Sequence, residues 1–93
     1  MKTIRRTSQF KRDIKALERR GEALGSLRGV LEILLAGEEL SSMHRDHVLV
    51  GQYRGTRECH IGPDWLLIYE RTDNEIILIR TGSHSDLFKR RRA

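Results

Sequence analysis

The spacing of the apolar residues changes once along the chain, and this change narrows the possible folds more than any other feature. Up to Ala36 the apolar side chains recur every three or four residues, which is the period of an amphipathic helix. After Tyr53 they form continuous runs at 65–69 and 76–79, which are typical of strands buried on both faces. We therefore predict an α+β protein with helices first and a sheet after them.

Two helices are predicted in the first part of the chain. The first carries a narrow apolar stripe at Phe10, Ile14 and Leu17, and Ser8 is placed to cap its start. The second carries a broader stripe, and Ser26 is placed to cap it. The residues of that stripe are Leu27, Val30, Leu31, Leu34 and Leu35. Because only a few residues separate the helices, we expect an antiparallel hairpin.

Three strands and a short helical turn are predicted to follow, with a weaker edge strand at 3–6. The strands are 53–61, 65–69 and 76–79. Ser83 and Asp86 resemble a capping box that opens the C-terminal turn. The predicted fold is a small antiparallel β-sheet that the helical hairpin covers on one side, so that the other face is partly open.

Basic residues are concentrated at the two ends of the chain. Its 93 residues support one hydrophobic core, so we expect a single domain over 1–93. The formal net charge is +5, of which residues 1–20 contribute +6 and residues 21–88 contribute −5, while the basic tail at 89–93 adds +4. A fold that brings both ends together creates a positive rim suited to a polyanion, whereas in the alternative interpretation both ends are merely solvated.

The composition also excludes several classes of protein. Every apolar run is far shorter than the roughly 20 residues needed to cross a bilayer, and none follows the basic N-terminus. We therefore expect a cytoplasmic protein with no membrane partner. The one cysteine, Cys59, cannot form an internal disulfide or a structural zinc site of the Cys-x-x-Cys type.

Several polar residues with catalytic capacity are predicted to meet at one edge of the sheet. If the strands are antiparallel neighbours in chain order, their ends bring together His60, Asp64, Arg80 and His84. His47 can reach the same edge from the loop that precedes the sheet.

These residue types fit phosphodiester cleavage within RNA. The 2′-hydroxyl must lose a proton and the leaving 5′-oxygen must gain one, and imidazole, with a pKa of about 6.5, does either near neutral pH. Arginine stabilises the negative charge that collects on the phosphoryl group. Asp64 either orients a histidine or acts as acid or base itself. The scheme requires no metal and no other cofactor.

Other interpretations of the same residues stay open. Zinc binding is an alternative role for His47, His60, Asp64 and His84, although their spacing matches no local zinc motif. His44 is interpreted as a structural polar residue. Trp65 and Phe88 can stack on bases, but packing in the core is the commoner role of such residues. Strand alternation turns Cys59 away from His60, which argues against a Cys-His nucleophile pair.

Several blocks of residues occur in a specific order along almost the whole chain. They are Asp46-His47, Arg57-Glu58-Cys59-His60-Ile61, Pro63-Asp64-Trp65, Tyr69, Arg80-Thr81-Gly82-Ser83-His84 and Leu87-Phe88, with Phe10, Lys11 and Asp13 in the first helix. This ordered set resembles the YafQ-type toxins of the RelE superfamily. Two departures are Val48, where relatives often have proline, and the continuation into the basic tail.

The resemblance implies a type II toxin with a RelE-like fold, a ribosome-dependent endoribonuclease that cuts mRNA in the decoding site. The implied catalytic residues are His47, His60, Asp64, His84 and Arg80. The expected substrate-binding residues are Trp65 and Phe88, together with the basic residues Lys11, Arg12 and Lys15 of the first helix. The implied partners are the ribosome with its mRNA and a cognate antitoxin, which we expect to be acidic and DNA-binding. The alternative function is that of a ParE-like toxin, which binds DNA gyrase without catalysis.

Overall fold

The structure is a computed structural model that describes residues 2–88, so the basic tail predicted at 89–93 lies outside the described residues. Its helices are α1 (Ser8–Arg19), α2 (Gly25–Leu35) and α3 (His84–Leu87). Its strands are β1 (Thr3–Arg6), β2 (His47–Val48), β3 (Arg57–Gly62), β4 (Trp65–Arg71) and β5 (Glu75–Gly82). Within this range there is no helix with the length and apolar character that a bilayer-spanning segment requires.

The strands form one five-stranded sheet in the order β1-β5-β4-β3-β2. The neighbours from β5 to β2 are antiparallel, whereas β1 runs parallel to β5, from Thr3 beside Glu75 to Arg6 beside Leu78. The α+β class and the edge strand at 3–6 are confirmed, but the sheet is mixed rather than purely antiparallel. The exception arises because β1 leads into a helix, and only a direct hairpin forces neighbouring strands to be antiparallel.

The start of α1 is fixed by Thr7 rather than by Ser8. The Thr7 hydroxyl accepts a hydrogen bond from the amide of Phe10 at 3.0 Å and donates one to the carbonyl of Ile79 at 2.8 Å. One side chain therefore caps the helix and ties its first turn to β5. The predicted cap at Ser8 is wrong by one residue. The neighbouring sequence does not indicate the hydrogen bond between Thr7 and the distant strand β5.

The predicted cap of α2 is also wrong. The helix begins at Gly25, with Leu24 at the N-cap position and no capping bond from a side chain, so Ser26 lies inside the first turn. Just beyond the C-terminal end of α2, Gly37 has a φ of 79°, a conformation that glycine adopts without strain.

The strand predicted at 53–61 begins later than expected, at Arg57. Gly51–Tyr53 instead form a short 3₁₀ helix, and the amide of Thr56 donates to the carbonyl of Tyr53 at 3.1 Å. The chain therefore turns before the strand starts. As a result, the Tyr53 side chain packs against one face of the sheet instead of extending a strand.

Helices α1 and α2 cover one face of the sheet, as predicted. Their helix-side core contains Phe10, Leu27, Val30, Leu34, Cys59, Leu67, Tyr69, Ile76 and Leu78. The opposite face, which we call the open face, carries a smaller apolar cluster of Leu66, Ile68 and Leu87. The predicted capping box of Ser83 and Asp86 is present at the start of α3 and places Leu87 on this cluster. Leu49, Tyr53 and Ile79 pack against the same cluster.

The Cys59 thiol is expected to be unreactive in the folded protein. Its side chain is fully buried, and this burial, together with the nearby carboxylates of Asp46 and Glu58, raises its pKa to about 12. Because the thiolate is the reactive form, the thiol should react with an aromatic disulfide reagent at pH 8 only after denaturant unfolds the chain. Equal rates of reaction with and without denaturant would contradict this arrangement of the core.

Candidate active site

Strand β3 presents two polar side chains to the open face. Cys59 and Ile61 pack against the helix-side core. Because successive residues of a strand point to opposite faces, Glu58 and His60 lie on the open face. Glu58 is buried there at 5% exposure, although it carries an ionisable carboxyl group.

The pairing register brings residues of four strands into one row on the open face. His47 of β2 lies opposite Glu58, Glu58 lies opposite Ile68 of β4, and Ile68 lies opposite Arg80 of β5. Since neighbouring strands are about 4.8 Å apart, the backbones at Glu58 and Arg80 are roughly 10 Å apart across the row. Backbone positions that carry an acidic and a basic residue thus lie on either side of Ile68.

Glu58 connects two of the predicted histidines, and the sequence analysis missed it. Its Oε1 lies 3.3 Å from Nε2 of His47 and 3.9 Å from Nε2 of His60. One carboxylate therefore lies beside two imidazoles from different strands. The signal that could have found it is its position two residues before His60, which puts both side chains on the same face of a strand.

The tautomer of His47 follows from its second contact. Its Nδ1 lies 2.7 Å from the carbonyl oxygen of Arg45. A carbonyl only accepts, so Nδ1 carries the hydrogen and Nε2 is the atom that faces Glu58.

Asp46 anchors the segment that carries His47 to the sheet. Its carboxylate accepts hydrogen bonds from Nε and Nη2 of Arg57 at 3.2 and 3.3 Å and from the hydroxyl of Tyr69 at 2.8 Å. Burial and this bond raise the pKa of Tyr69, and the bond to Asp46 raises the pKa of Arg57. The strand β2 is only two residues long, so this contact supplies much of what fixes His47 in place.

His84 and Asp64 form a second pair of an imidazole and a carboxylate. Asp64 lies in the two-residue turn between β3 and β4, and its Oδ1 accepts from Nδ1 of His84 at 2.8 Å and from the His84 amide at 3.1 Å. These bonds, the one from the ring first, lower the pKa of Asp64. The capping box of α3 begins at Ser83 and thereby fixes the backbone that presents His84.

The two pairs meet at the rings of His60 and His84, whose centroids are 6.0 Å apart. We call this connected set the histidine–carboxylate group. It consists of His47, Glu58, His60, His84 and Asp64. The structure thus brings together four predicted site residues and adds Glu58 between two of them.

Arg80 does not contact these side chains in the part of the chain that the structure describes. It lies at a β-bulge, where Ile68 pairs with Arg80 but Tyr69 pairs with Leu78, so that the residue between them has no direct partner. The Nε and Nη2 atoms of Arg80 donate to Asp13 of α1 at 3.0 and 2.9 Å. This bidentate contact raises the pKa of Arg80.

Trp65 and Phe88 lie on opposite faces of the sheet. Trp65 packs against the helix-side core, and its Nε1 donates to the hydroxyl of Thr81 at 2.9 Å. Phe88 meets the ring of Tyr53 edge-on above the open face, with centroids 5.7 Å apart. Only Phe88 therefore shares a face with the histidines, although Trp65 and Asp64 line the same cavity of about 350 Å³.

The basic side chains predicted on the first helix are exposed, and they do not line the cavity beside Arg80. Lys11, Arg12 and Lys15 all lie on the outer surface of α1. The cavity of about 380 Å³ that Arg80 lines also contacts Arg19 and Arg20, at and just beyond the end of that helix. These two arginines were not singled out from the sequence, because helical spacing alone does not say which flank faces the sheet.

The side chains considered as zinc ligands are arranged instead as hydrogen-bonded or ion-paired contacts. Within residues 2–88, no three His, Cys, Asp or Glu side chains are placed to hold one metal ion.

A sequence profile described as the bacterial toxin of type II toxin-antitoxin system, YafQ, matches residues 2–89. The chain belongs to the YafQ family. The resemblance inferred from the ordered blocks is thereby confirmed. Among curated relatives, the mRNA interferase toxin YafQ of Escherichia coli K12 is 34% identical over 86 residues, which cover 91% of this chain and 94% of that protein.

Solved structures of YafQ proteins share the fold. The crystal structure of YafQ from E. coli BL21(DE3) has a TM-score of 0.88 at 31% identity and covers 95% of this chain and 99% of that one. YafQ in the E. coli DinJ-YafQ toxin-antitoxin complex has a TM-score of 0.86 at 33% identity and covers 94% and 97%. The fold class predicted from the sequence is therefore that of the family.

The contact between His84 and Asp64 leads to a prediction about titration. We expect His84→Ala to raise the pKa of Asp64 toward its ordinary value of about 3.9 without reaching it, because the bond from the amide of residue 84 remains. Carboxyl-carbon NMR titration of both proteins measures the two midpoints, and identical midpoints would contradict the contact.

The same shift sets the sign of its effect on stability. Because the pKa of Asp64 is lower in the folded state, the contact contributes stability at pH values above the ordinary aspartate pKa. That contribution is lost as the pH falls through the lowered pKa. The acid limb of the stability curve should therefore differ between wild type and His84→Ala.

Proposed function

We propose that this chain is an mRNA interferase that cleaves messenger RNA on the ribosome by attack of a ribose 2′-hydroxyl on the adjacent phosphate. The observation that carries the proposal is the pair of imidazoles on one sheet face. The ring centroids of His60 and His84 are 6.0 Å apart. His84 lies beside Asp64, and His60 lies 3.9 Å from Glu58, which it shares with His47. The names of the curated YafQ relatives support the same activity.

The proposed reaction needs two proton transfers and one stabilised anion. A base removes the proton of the 2′-hydroxyl, a bond forms between the 2′-oxygen and phosphorus, and the bond from phosphorus to the 5′-oxygen breaks. An acid gives the leaving 5′-oxygen a proton. The products are a 2′,3′-cyclic phosphate on the upstream fragment and a 5′-hydroxyl on the downstream fragment.

The histidine–carboxylate group supplies the two proton-transfer roles. We assign one role to His60 and the other to His84, with Glu58 and Asp64 as the carboxylates that orient their rings. A carboxylate beside an imidazole also stabilises the imidazolium that forms when the ring takes up a proton. His47 contributes a third imidazole through Glu58. The scheme needs no metal ion.

Arg80 is assigned to the phosphate. Its backbone lies in the same row of the open face as Glu58, with Ile68 between them. Its guanidinium stays charged at any pH at which the protein works, since its contact with Asp13 raises an already high pKa. Negative charge on the phosphoryl oxygens is largest in the transition state, and a fixed cation there lowers the barrier.

The aromatic and basic residues outside this group are assigned to RNA. Phe88 is exposed on the open face, and we propose that a base stacks on it. Lys11, Arg12 and Lys15 are proposed to contact ribosomal RNA through the outer surface of α1. Trp65 is proposed to act at the rim of the site, from the cavity that it shares with Asp64.

A cognate antitoxin is the proposed protein partner. The E. coli YafQ structures include complexes with DinJ, which supports a partner for this family. Residues 1–20 of this chain carry a net charge of +6, so we propose that the partner covers them with an acidic segment.

Cleavage assays with matched histidine variants test the proposed activity. We expect His60→Ala and His84→Ala each to lower the cleavage rate by about 100- to 10,000-fold, since each removes one proton-transfer group. Primer extension on a translated transcript after induction measures the cuts. His44→Ala is the control, because His44 hydrogen-bonds Ser41 and lies outside the histidine–carboxylate group.

Full activity of either variant would overturn the assignment of that histidine. Intact transcripts with the wild-type protein, together with inhibition of DNA gyrase in a supercoiling assay, would instead favour the ParE-like function.

A further inference from the structure

Asp13 is a buried carboxylate on α1, at 8% exposure, and it accepts four hydrogen bonds. Its Oδ2 accepts from Nε of Arg80 at 3.0 Å and from the amide of Thr81 at 3.1 Å. Its Oδ1 accepts from Nη2 of Arg80 at 2.9 Å and from Nε2 of Gln9 at 3.1 Å. An ionised carboxylate has about four acceptor positions. Asp13 therefore has none left for RNA or for a reacting hydroxyl group.

These bonds fix Arg80 at a point where the strand itself is irregular. The bulge in β5 changes the direction of the side chains at and after Ile79, so the ladder alone does not determine where the guanidinium points. Asp13 holds the guanidinium and, through the amide of Thr81, the following backbone as well. Asp13 uses two of the five N–H donors of Arg80, so the guanidinium keeps other donors with which to meet a phosphate.

The negative charge of Asp13 reduces the positive potential around Arg80, while its hydrogen bonds fix the orientation of the guanidinium. A site that only attracted RNA would be stronger without a carboxylate beside the arginine. A group that stabilises a transition state gains instead from being fixed beforehand, because no reorganisation is then needed as charge develops. The burial and full hydrogen bonding of Asp13 fit an arginine that is fixed in advance to stabilise a transition state.

We propose that Asp13 is a positioning residue, which holds Arg80 in the orientation needed to stabilise the phosphoryl group during cleavage. This rests on the proposed function and goes beyond it, since Asp13 touches neither the RNA nor a reacting atom. Its effect on the reaction passes through Arg80, whose backbone it also supports at the neighbouring Thr81 amide.

The test is Asp13→Asn, which keeps the shape of the side chain but turns one acceptor into a donor that faces other donors. We expect kcat for cleavage of ribosome-bound mRNA to fall by about 10- to 100-fold, with KM unchanged, because orientation matters most in the transition state. Glu75→Gln is the matched control. It removes the same charge from another carboxylate–arginine pair, with Arg5, at the far end of β5, and should leave both constants unchanged.

A double-mutant cycle separates positioning from a general loss of structure. In the background of Arg80→Ala, Asp13→Asn should cause no further loss of rate, because there is no guanidinium left to position. Equal losses in both backgrounds would show that Asp13 acts on the fold as a whole and would overturn the proposal. A weaker affinity for the substrate with kcat unchanged would also overturn the proposal.

The wild-type protein distinguishes failure of this inference from failure of the proposed function. If wild type does not cut RNA, the proposed function is wrong. If wild type cuts RNA and Asp13→Asn cuts it equally fast, the proposed function stands and only the role of Asp13 is wrong.

Discussion

The candidate site depends on the pairing register of β3, β4 and β5. Glu58, Ile68 and Arg80 lie opposite one another across these strands, and His60 follows Glu58 on the same face. Because side chains alternate along a strand, a slip of one residue would turn Glu58 and His60 into the helix-side core and bring Cys59 to the open face. The buried side chains of Cys59 and Leu67 prevent this slip. Packing of the helix-side core thus determines which side chains the open face presents.

A second regularity is that carboxylates hold the groups assigned to catalysis. Glu58 lies between two imidazoles, Asp64 holds His84, and Asp13 holds Arg80. A carboxylate that is buried without such partners is costly, and an imidazole or guanidinium without one is free to change its orientation. The partners of the buried Glu58 and Asp13 therefore lower the cost of burying a carboxylate, and the bonds from Asp64 and Asp13 restrict the orientations of His84 and Arg80. Lys11, Arg12 and Lys15 stay exposed on the outer surface of α1, apart from these contacts.

Helices α1 and α2 and strands β4 and β5 could be predicted from the sequence, because the spacing of their apolar residues follows from which side chains are buried. The meeting of His60 and His84 was also predictable, since it follows from the order of antiparallel strands. Glu58 was not predicted, because an acidic residue in a weak strand is usually solvated, and its nearer partner His47 comes from β2, a strand that was not predicted. The contact between Arg80 and Asp13 joins residues 67 positions apart through a bulge, and no local spacing indicates it.

The most direct test of the proposed chemistry removes the nucleophile from the RNA instead of a group from the protein. A single 2′-deoxynucleotide is placed on the upstream side of a mapped cut in a translated mRNA. We expect this cut to disappear, cuts elsewhere in the same transcript to persist, and their upstream fragments to end in a 2′,3′-cyclic phosphate. Continued cutting at the 2′-deoxynucleotide would contradict the proposed chemistry, since water would then have to be the nucleophile.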